Sequence, residues 1–387
     1  MASVMTATTR RAFLSTASAA ATALAAPGIL RASTPPAQSS RVRVLVGSHT
    51  QNGILFYDWD PATADLTPAG KNSSATNVAW LAFSPGNNFV YSASELDNFQ
   101  GKPTGEVASF RYTKDGTVEQ ISARNSAGTG TCQVAVDQTG HMLIAVDYTG
   151  GSAASFRIQN GSLSEAVWTE HYTEHGPNAD RQKTAHAHFA SFSPDNRFAY
   201  VNDLGGDSIH IYKPDPATAA MTPSGVYRGA PGSGPRTLHF HPNGHTAYCI
   251  NEMSSSVDVL EWHDHDGTLT LVDRVALLPA GYKGPTRACD TVISRNGRFV
   301  YFANRDNNFL YSFRADFKTG KLTPIKRSNC GGKEPRNFVL DPTERWMLVA
   351  NQSSNIISIF ARDRETGELA EECKNVEAET PMRILFE

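Results

Sequence analysis

Apolar residues in this chain come in short runs that alternate with polar ones, and turn-forming clusters interrupt every run within about ten residues. Beyond the first 40 residues no stretch keeps the period that an amphipathic helix needs. The runs also repeat. A turn such as Ser193-Pro194-Asp195-Asn196 precedes an aromatic and β-branched strand that stops at a polar pair. Six copies of this phrase begin at Phe83, Val136, Phe192, Phe240, Ile293 and Leu340, 47 to 56 residues apart. Each continues into a second alternating strand, as in Ser208-Ile209-His210-Ile211-Tyr212, and a turn like Asp215-Pro216-Ala217-Thr218. That spacing predicts four-stranded propeller blades. Residues 42–68 carry the second half of the unit without its opening turn, which makes a seventh blade, and the orphan strand Pro381–Phe386 supplies what it lacks. The expected fold is all-β: a seven-bladed β-propeller with four antiparallel strands per blade, closed by the C-terminal strand so that no first or last sheet edge is left open.

Composition narrows the picture. The 30 glycines and 21 prolines suit many short strands joined by tight turns. A formal net charge of −3 with no block of Lys or Arg gives nucleic acid no footing. Residues 1–40 read as a twin-arginine export signal and a disordered tether. Thr9-Arg10-Arg11-Ala12-Phe13-Leu14 precedes an apolar stretch over residues 15–26, a cleavage candidate lies at Ala23-Leu24-Ala25, and residues 33–40 are rich in Pro, Ser and Gln. Residues 41–387 are the propeller, expected to be periplasmic or secreted, monomeric and free of stable membrane insertion once the signal is cleaved. The five cysteines, Cys132, Cys249, Cys289, Cys330 and Cys373, are odd in number, widely spaced and without a CxxC pair, which argues against a disulfide framework or a zinc knuckle. Cys249 reads as a buried strand residue.

In an up-and-down blade, the connections between strands two and three and between successive blades emerge on one face. The generic Ser-Pro-Asp and Asp-Pro-Ala-Thr turns fall on the other. The unusual residues collect on the first of these faces. The segments Arg181-Gln182-Lys183-Thr184-Ala185-His186-Ala187-His188, Gly232-Ser233-Gly234-Pro235-Arg236 and Gly331-Gly332-Lys333-Glu334-Pro335-Arg336-Asn337 enter the innermost strands there. The pairs and triplets Asp203-Leu204-Gly205, Asn251-Glu252-Met253, Asn304-Arg305-Asp306 and Asn351-Gln352 leave the second strands there. Blades four to seven thus direct His, Arg and Glu at one channel mouth, as a site for a small anion requires.

These segments, in this order, resemble the seven-bladed lactonase family of bacterial 6-phosphogluconolactonases and fungal carboxymuconate-lactonizing enzymes, over essentially all of residues 42–386. The resemblance implies that His188, the second His of the HxH motif, Arg236 of the GPRH-like motif, Glu252 of the NEL-like motif and Arg305 of the SNR-like motif are catalytic. It implies no metal or cofactor. The motifs depart at Thr237, Met253 and Arg295, which spares the charged positions.

Opening a lactone needs a base to activate water, cations for the developing oxyanion and a grip on a remote anionic group. Glu252 or His188 could serve as base, and Arg236 and Arg305 could stabilise charge. Arg181 and Arg336 are candidate anion clamps, with Gln182 and His186 beside them as substrate-binding residues. The same positions also admit structural roles: a histidine bonded to a blade backbone, or a Glu252–Arg236 ion pair between blades. His263-Asp264-His265-Asp266-Gly267 has metal-like spacing, but its Asp-Gly pair sits in a hairpin and suits a turn. The expected function is hydrolysis of a sugar lactone, 6-phosphoglucono-1,5-lactone or an unphosphorylated analogue. The alternatives are a muconate-type lactonizing isomerase and a non-catalytic secreted propeller that binds a ligand or a protein.

Overall fold

The computed structural model describes residues 41–387; the export signal and tether expected at residues 1–40 lie outside them. The described chain forms 28 strands in seven four-stranded antiparallel sheets. Blade one consists of Pro381–Phe386, Val42–Ser48, Ile54–Asp60 and Asp65–Asn72, from the channel outward. The C-terminal strand therefore closes the ring as expected, with Val44 opposite Phe386, Leu45 opposite Leu385 and Val46 opposite Ile384.

The repeated turns form for a local reason. In blade four the Ser193 hydroxyl donates to Asp195 Oδ1 at 2.6 Å and accepts from the Phe198 amide at 2.9 Å. Asn196 takes the left-handed backbone (φ 61°) that a short polar side chain tolerates. Outer strands such as Ser162–His171 alternate exposed and covered positions, whereas second strands such as Phe299–Asn304 are buried throughout.

The apolar core lies between blades rather than within them. Each of seven clusters joins two neighbouring blades, so that Trp59 and Ile384 of blade one pack with Leu348 and Ile357 of blade seven. A recurring hydrogen bond reinforces three junctions: the hydroxyls of Tyr200, Tyr248 and Tyr301 donate to the carbonyls of Gly267, Gly320 and Gly367 at 2.8, 2.7 and 2.8 Å. The His263–Gly267 segment is thus a turn that receives a neighbour's tyrosine. All five cysteines are free, and Cys249 is buried in its strand.

Candidate functional site

Two positions of the repeat build the site. The first is the second residue of each innermost strand, where the pairing with the next strand slips by one residue. Ala79, Cys132, His188, Arg236, Arg336 and Met382 are the extra residues in blades two, three, four, five, seven and one, and the slip in blade six covers Cys289 and Asp290. A bulge twists the strand and re-aims the side chain it carries. His188, Arg236 and Arg336, with Ala79, Cys132 and Met382, accordingly face one small enclosed space at the centre of the ring. The second position is the residue that follows each second strand, occupied by His49, Glu95, Tyr148, Leu204, Glu252, Arg305 and Gln352 in blades one to seven. Five of these seven, His49, Glu95, Tyr148, Glu252 and Arg305, line a chamber of about 580 Å³ above the bulge ring, together with His188, Arg336, Arg181 and Arg287.

Glu252 is the electrostatic centre. Arg181 Nη2 donates to its Oε1 at 2.7 Å, and Arg236 Nε and Arg305 Nη2 donate to its Oε2 at 2.8 and 2.7 Å. The residue is 1 % exposed. Burial alone would push its carboxyl up, but the cationic surroundings, Arg305 and Arg236 foremost, outweigh burial and hold it well below the usual carboxylate range. A carboxylate so placed is a poor proton acceptor. The cluster also spans three blades, because Arg236 shares blade five with Glu252, Arg305 belongs to blade six and Arg181 enters from the loop before blade four.

His188 differs. Its ring is buried and its Nδ1 has no hydrogen-bond partner. Burial, reinforced by Arg236, pushes the imidazole well below its ordinary value, so it is neutral at physiological pH. The Tyr148 ring meets it edge-on at 5.6 Å.

Of the residues expected from sequence, His188, Arg181, Glu252, Arg305 and Arg336 reach the chamber. Arg236 lies in the space beneath it, its Nε on Glu252 and its Nη1 donating to the Cys289 carbonyl. Two of the expected residues stand outside the chamber. Gln182 is fully buried: its Nε2 donates to the Leu204 carbonyl at 2.9 Å and to Asp207 Oδ1 at 2.8 Å, which fastens the loop. His186 stacks on Tyr148 at 4.5 Å, its Nδ1 is 2.9 Å from the Tyr148 carbonyl oxygen, and it does not line the chamber. The chamber draws on the remaining blades as well. His49, Glu95 and Tyr148 come from blades one to three, and Arg287 enters blade six. Arg336 Nη2 is 3.2 Å from Glu95 Oε1, and His49 Nε2 is 3.4 Å from Glu95 Oε2. Arg287 is forked on Asp306, with its Nη1 3.3 Å from Glu334.

Comparison with known proteins gives a consistent picture. Residues 43–386 match the model of the family described as lactonase, 7-bladed beta-propeller. The chain is 29 % identical to a 6-phosphogluconolactonase of Bacillus subtilis over 88 % of its length and 97 % of the relative's. It is 31 % identical to a 6-phosphogluconolactonase of Formosa agariphila, over 84 % of this chain and 94 % of that one. Among solved structures, the periplasmic gluconolactonase of Pseudomonas aeruginosa superposes with a TM-score of 0.84 at 30 % identity, covering 90 % of this chain and 99 % of that one.

Proposed function

Because the chain belongs to the seven-bladed β-propeller lactonase family, we propose that it hydrolyses a sugar lactone, with His188 as general base and Arg305 as the oxyanion's partner. The observation that carries this reading is the convergence of an uncharged, unpaired imidazole and a carboxylate-anchored set of guanidiniums on one chamber. Water held against His188 attacks the lactone carbonyl while the ring nitrogen takes its proton. The Arg305 guanidinium, oriented through its Nη2 bond to Glu252, stabilises the negative charge that develops on the carbonyl oxygen. The carbonyl carbon to ring-oxygen bond then breaks, and the proton passes to the departing alkoxide. Glu252 acts as the anchor that fixes three guanidinium forks.

The substrate we favour is unphosphorylated. Arg181 and Arg305 are committed to Glu252, Arg287 to Asp306 and Glu334, and Arg336 to Glu95. A phosphate dianion would have to share these guanidiniums with the carboxylates that already neutralise them, whereas sugar hydroxyls can bridge guanidinium and carboxylate. The likeness to a periplasmic gluconolactonase supports the same choice.

The test is a pair of variants assayed on glucono-1,5-lactone and its 6-phosphate. His188→Gln is expected to lower kcat by roughly a hundredfold or more with little change in stability. Glu252→Gln strands Arg236 and Arg305 as buried charges, so it is expected to cost about 3–5 kcal/mol in urea denaturation as well as activity. Failure of the native protein to open either lactone faster than buffer would overturn the reading. A His188→Gln variant of native activity would overturn the base assignment.

No helix among the described residues is long and apolar enough to cross a membrane. We infer export by the twin-arginine route from Arg10, Arg11 and the apolar stretch that follows. Replacing both arginines with Lys is expected to hold active protein inside the cell, and undiminished export of that double variant would contradict the inference.

A further inference from the structure

We infer that Glu174, Asp203 and His210 form a binding site for one divalent transition-metal cation, outside the lactone chamber, where the loop that leads from blade three into blade four meets the second and third strands of blade four. One donor atom from each residue lies within 4.8 Å of the others. Glu174 Oε2 is 3.7 Å from His210 Nε2. The Ser208 hydroxyl stands between them, 2.8 Å from Glu174 Oε2 and 3.2 Å from His210 Nε2. The His210 ring is held against Tyr172, centroids 4.3 Å apart, which fixes the direction of its nitrogen.

A second observation points to a ligand. Asp203 is fully buried, and while its Oδ1 accepts from the amides of His186 and Gly205 at 2.7 and 3.0 Å, its Oδ2 completes no hydrogen bond and has only the Gly206 amide close by. An unpartnered carboxylate oxygen in the interior is costly unless something positive meets it. Oδ2 faces the same space as the Glu174 carboxylate: a Cβ built on Gly206 would fall 2.4 Å from Asp203 Oδ2 and 3.0 Å from Glu174 Oε2. Glycine at 206 keeps that space open, and any side chain would fill it.

Arg228 already neutralises Glu174 through two hydrogen bonds of 2.5 and 2.7 Å, but it does so from an exposed position and does not reach Asp203. Two carboxylates, an imidazole and a hydroxyl make a mixed oxygen and nitrogen donor set, which suits Zn²⁺ or Mn²⁺ better than Ca²⁺ or a thiolate-seeking ion. A cation there would tie Glu174, in the loop that also carries Arg181, to Asp203, whose other oxygen fixes the backbone two residues before His188.

The experiment is calorimetric titration of the untagged full chain with MnCl2 and separately with ZnCl2, alongside thermal melts. One equivalent is expected to bind, raising the midpoint by about 3 °C at a hundredfold excess over Kd. Asp203→Asn and His210→Gln should each weaken binding at least tenfold, and Arg228→Ala, which removes the competing guanidinium, should strengthen it. Binding that survives both ligand variants, or that disappears instead in a His263→Gln, His265→Gln double variant of the exposed hairpin, would overturn the site. So would the absence of saturable binding of either ion. His210→Gln alters a side chain that is 13 % exposed and hydrogen-bonded only to Ser208, so it keeps the test valid even if Asp203→Asn fails to fold.

Discussion

Glu252 and Glu106 are both carboxylates buried in this propeller, and their surroundings push them in opposite directions. Glu252 has three guanidiniums, so its carboxyl stays ionised far into acid. Its contribution to stability is complete above the ordinary carboxylate pKa and is lost only as pH falls through its depressed value, so mild acid leaves the cluster intact. Glu106, 4 % exposed at the start of the third strand of blade two, has no cation at its side. Burial pushes its carboxyl up to about 7, against a smaller opposing effect from the neighbouring Ser94 hydroxyl. The folded protein therefore holds this proton more tightly than the unfolded chain, and stability drains away as pH rises from the ordinary carboxylate range through about 7. Glu106→Gln removes the titration. It is expected to leave stability at pH 4 nearly unchanged and to raise it at pH 8 by about 1–3 kcal/mol, read from urea denaturation at the two pH values. An equal effect at both would mean that Glu106 does not titrate in this range.

At the scale of the strand, the two site positions were unequally legible. The residue after each second strand ends the repeated phrase, as Glu252 and Arg305 do, so its place in the fold follows from the repeat. Glu95 and Tyr148 end the same phrase in blades two and three, and His49 holds the position in blade one. Their motifs are not distinctive in sequence, since the unusual segments lie in blades four to seven. The repeat also carries a signal for the bulge ring. Ala79, Cys132, His188, Arg236, Cys289 and Arg336 each stand four residues before a phrase begins, and Met382 stands four before Phe386. What the pattern cannot convey is that the pairing slips there, because a bulge changes which way a side chain points without changing the alternation around it. The role of Gln182 was hidden for a related reason. A loop amide beside an arginine looks like a ligand contact until its partners, the Leu204 carbonyl and Asp207, are seen. Glu252 was recognised as a site residue, but its neighbours decide its chemistry: a base and an anchor have the same side chain, and only the three converging forks distinguish them.

At the scale of the whole molecule, every junction between blades carries an apolar cluster, so no blade owns a core that would survive alone. Closure by Pro381–Phe386 makes the ring continuous, and the Glu252 cluster ties blade five to blade six through Arg305 and to the loop before blade four through Arg181. Loosening one junction must then be felt by all seven blades, whereas an open array could fray from an end. Phe338, fully buried where blade seven packs on blade six, isolates the effect, because its side chain makes no polar contact and lies two residues from Arg336 on the bulge. Phe338→Ala is expected to cost about 3–5 kcal/mol through the cavity it leaves. The five tryptophans, at positions 59, 80, 168, 262 and 346, lie in blades one, two, three, five and seven. Their fluorescence therefore samples the ring far from the cavity as well as beside it. The midpoint should fall while tryptophan fluorescence and far-ultraviolet circular dichroism still report one coincident transition. An early fluorescence change that precedes loss of strand signal would show blades six and seven separating on their own, and would refute the argument that closure makes the propeller a single cooperative unit.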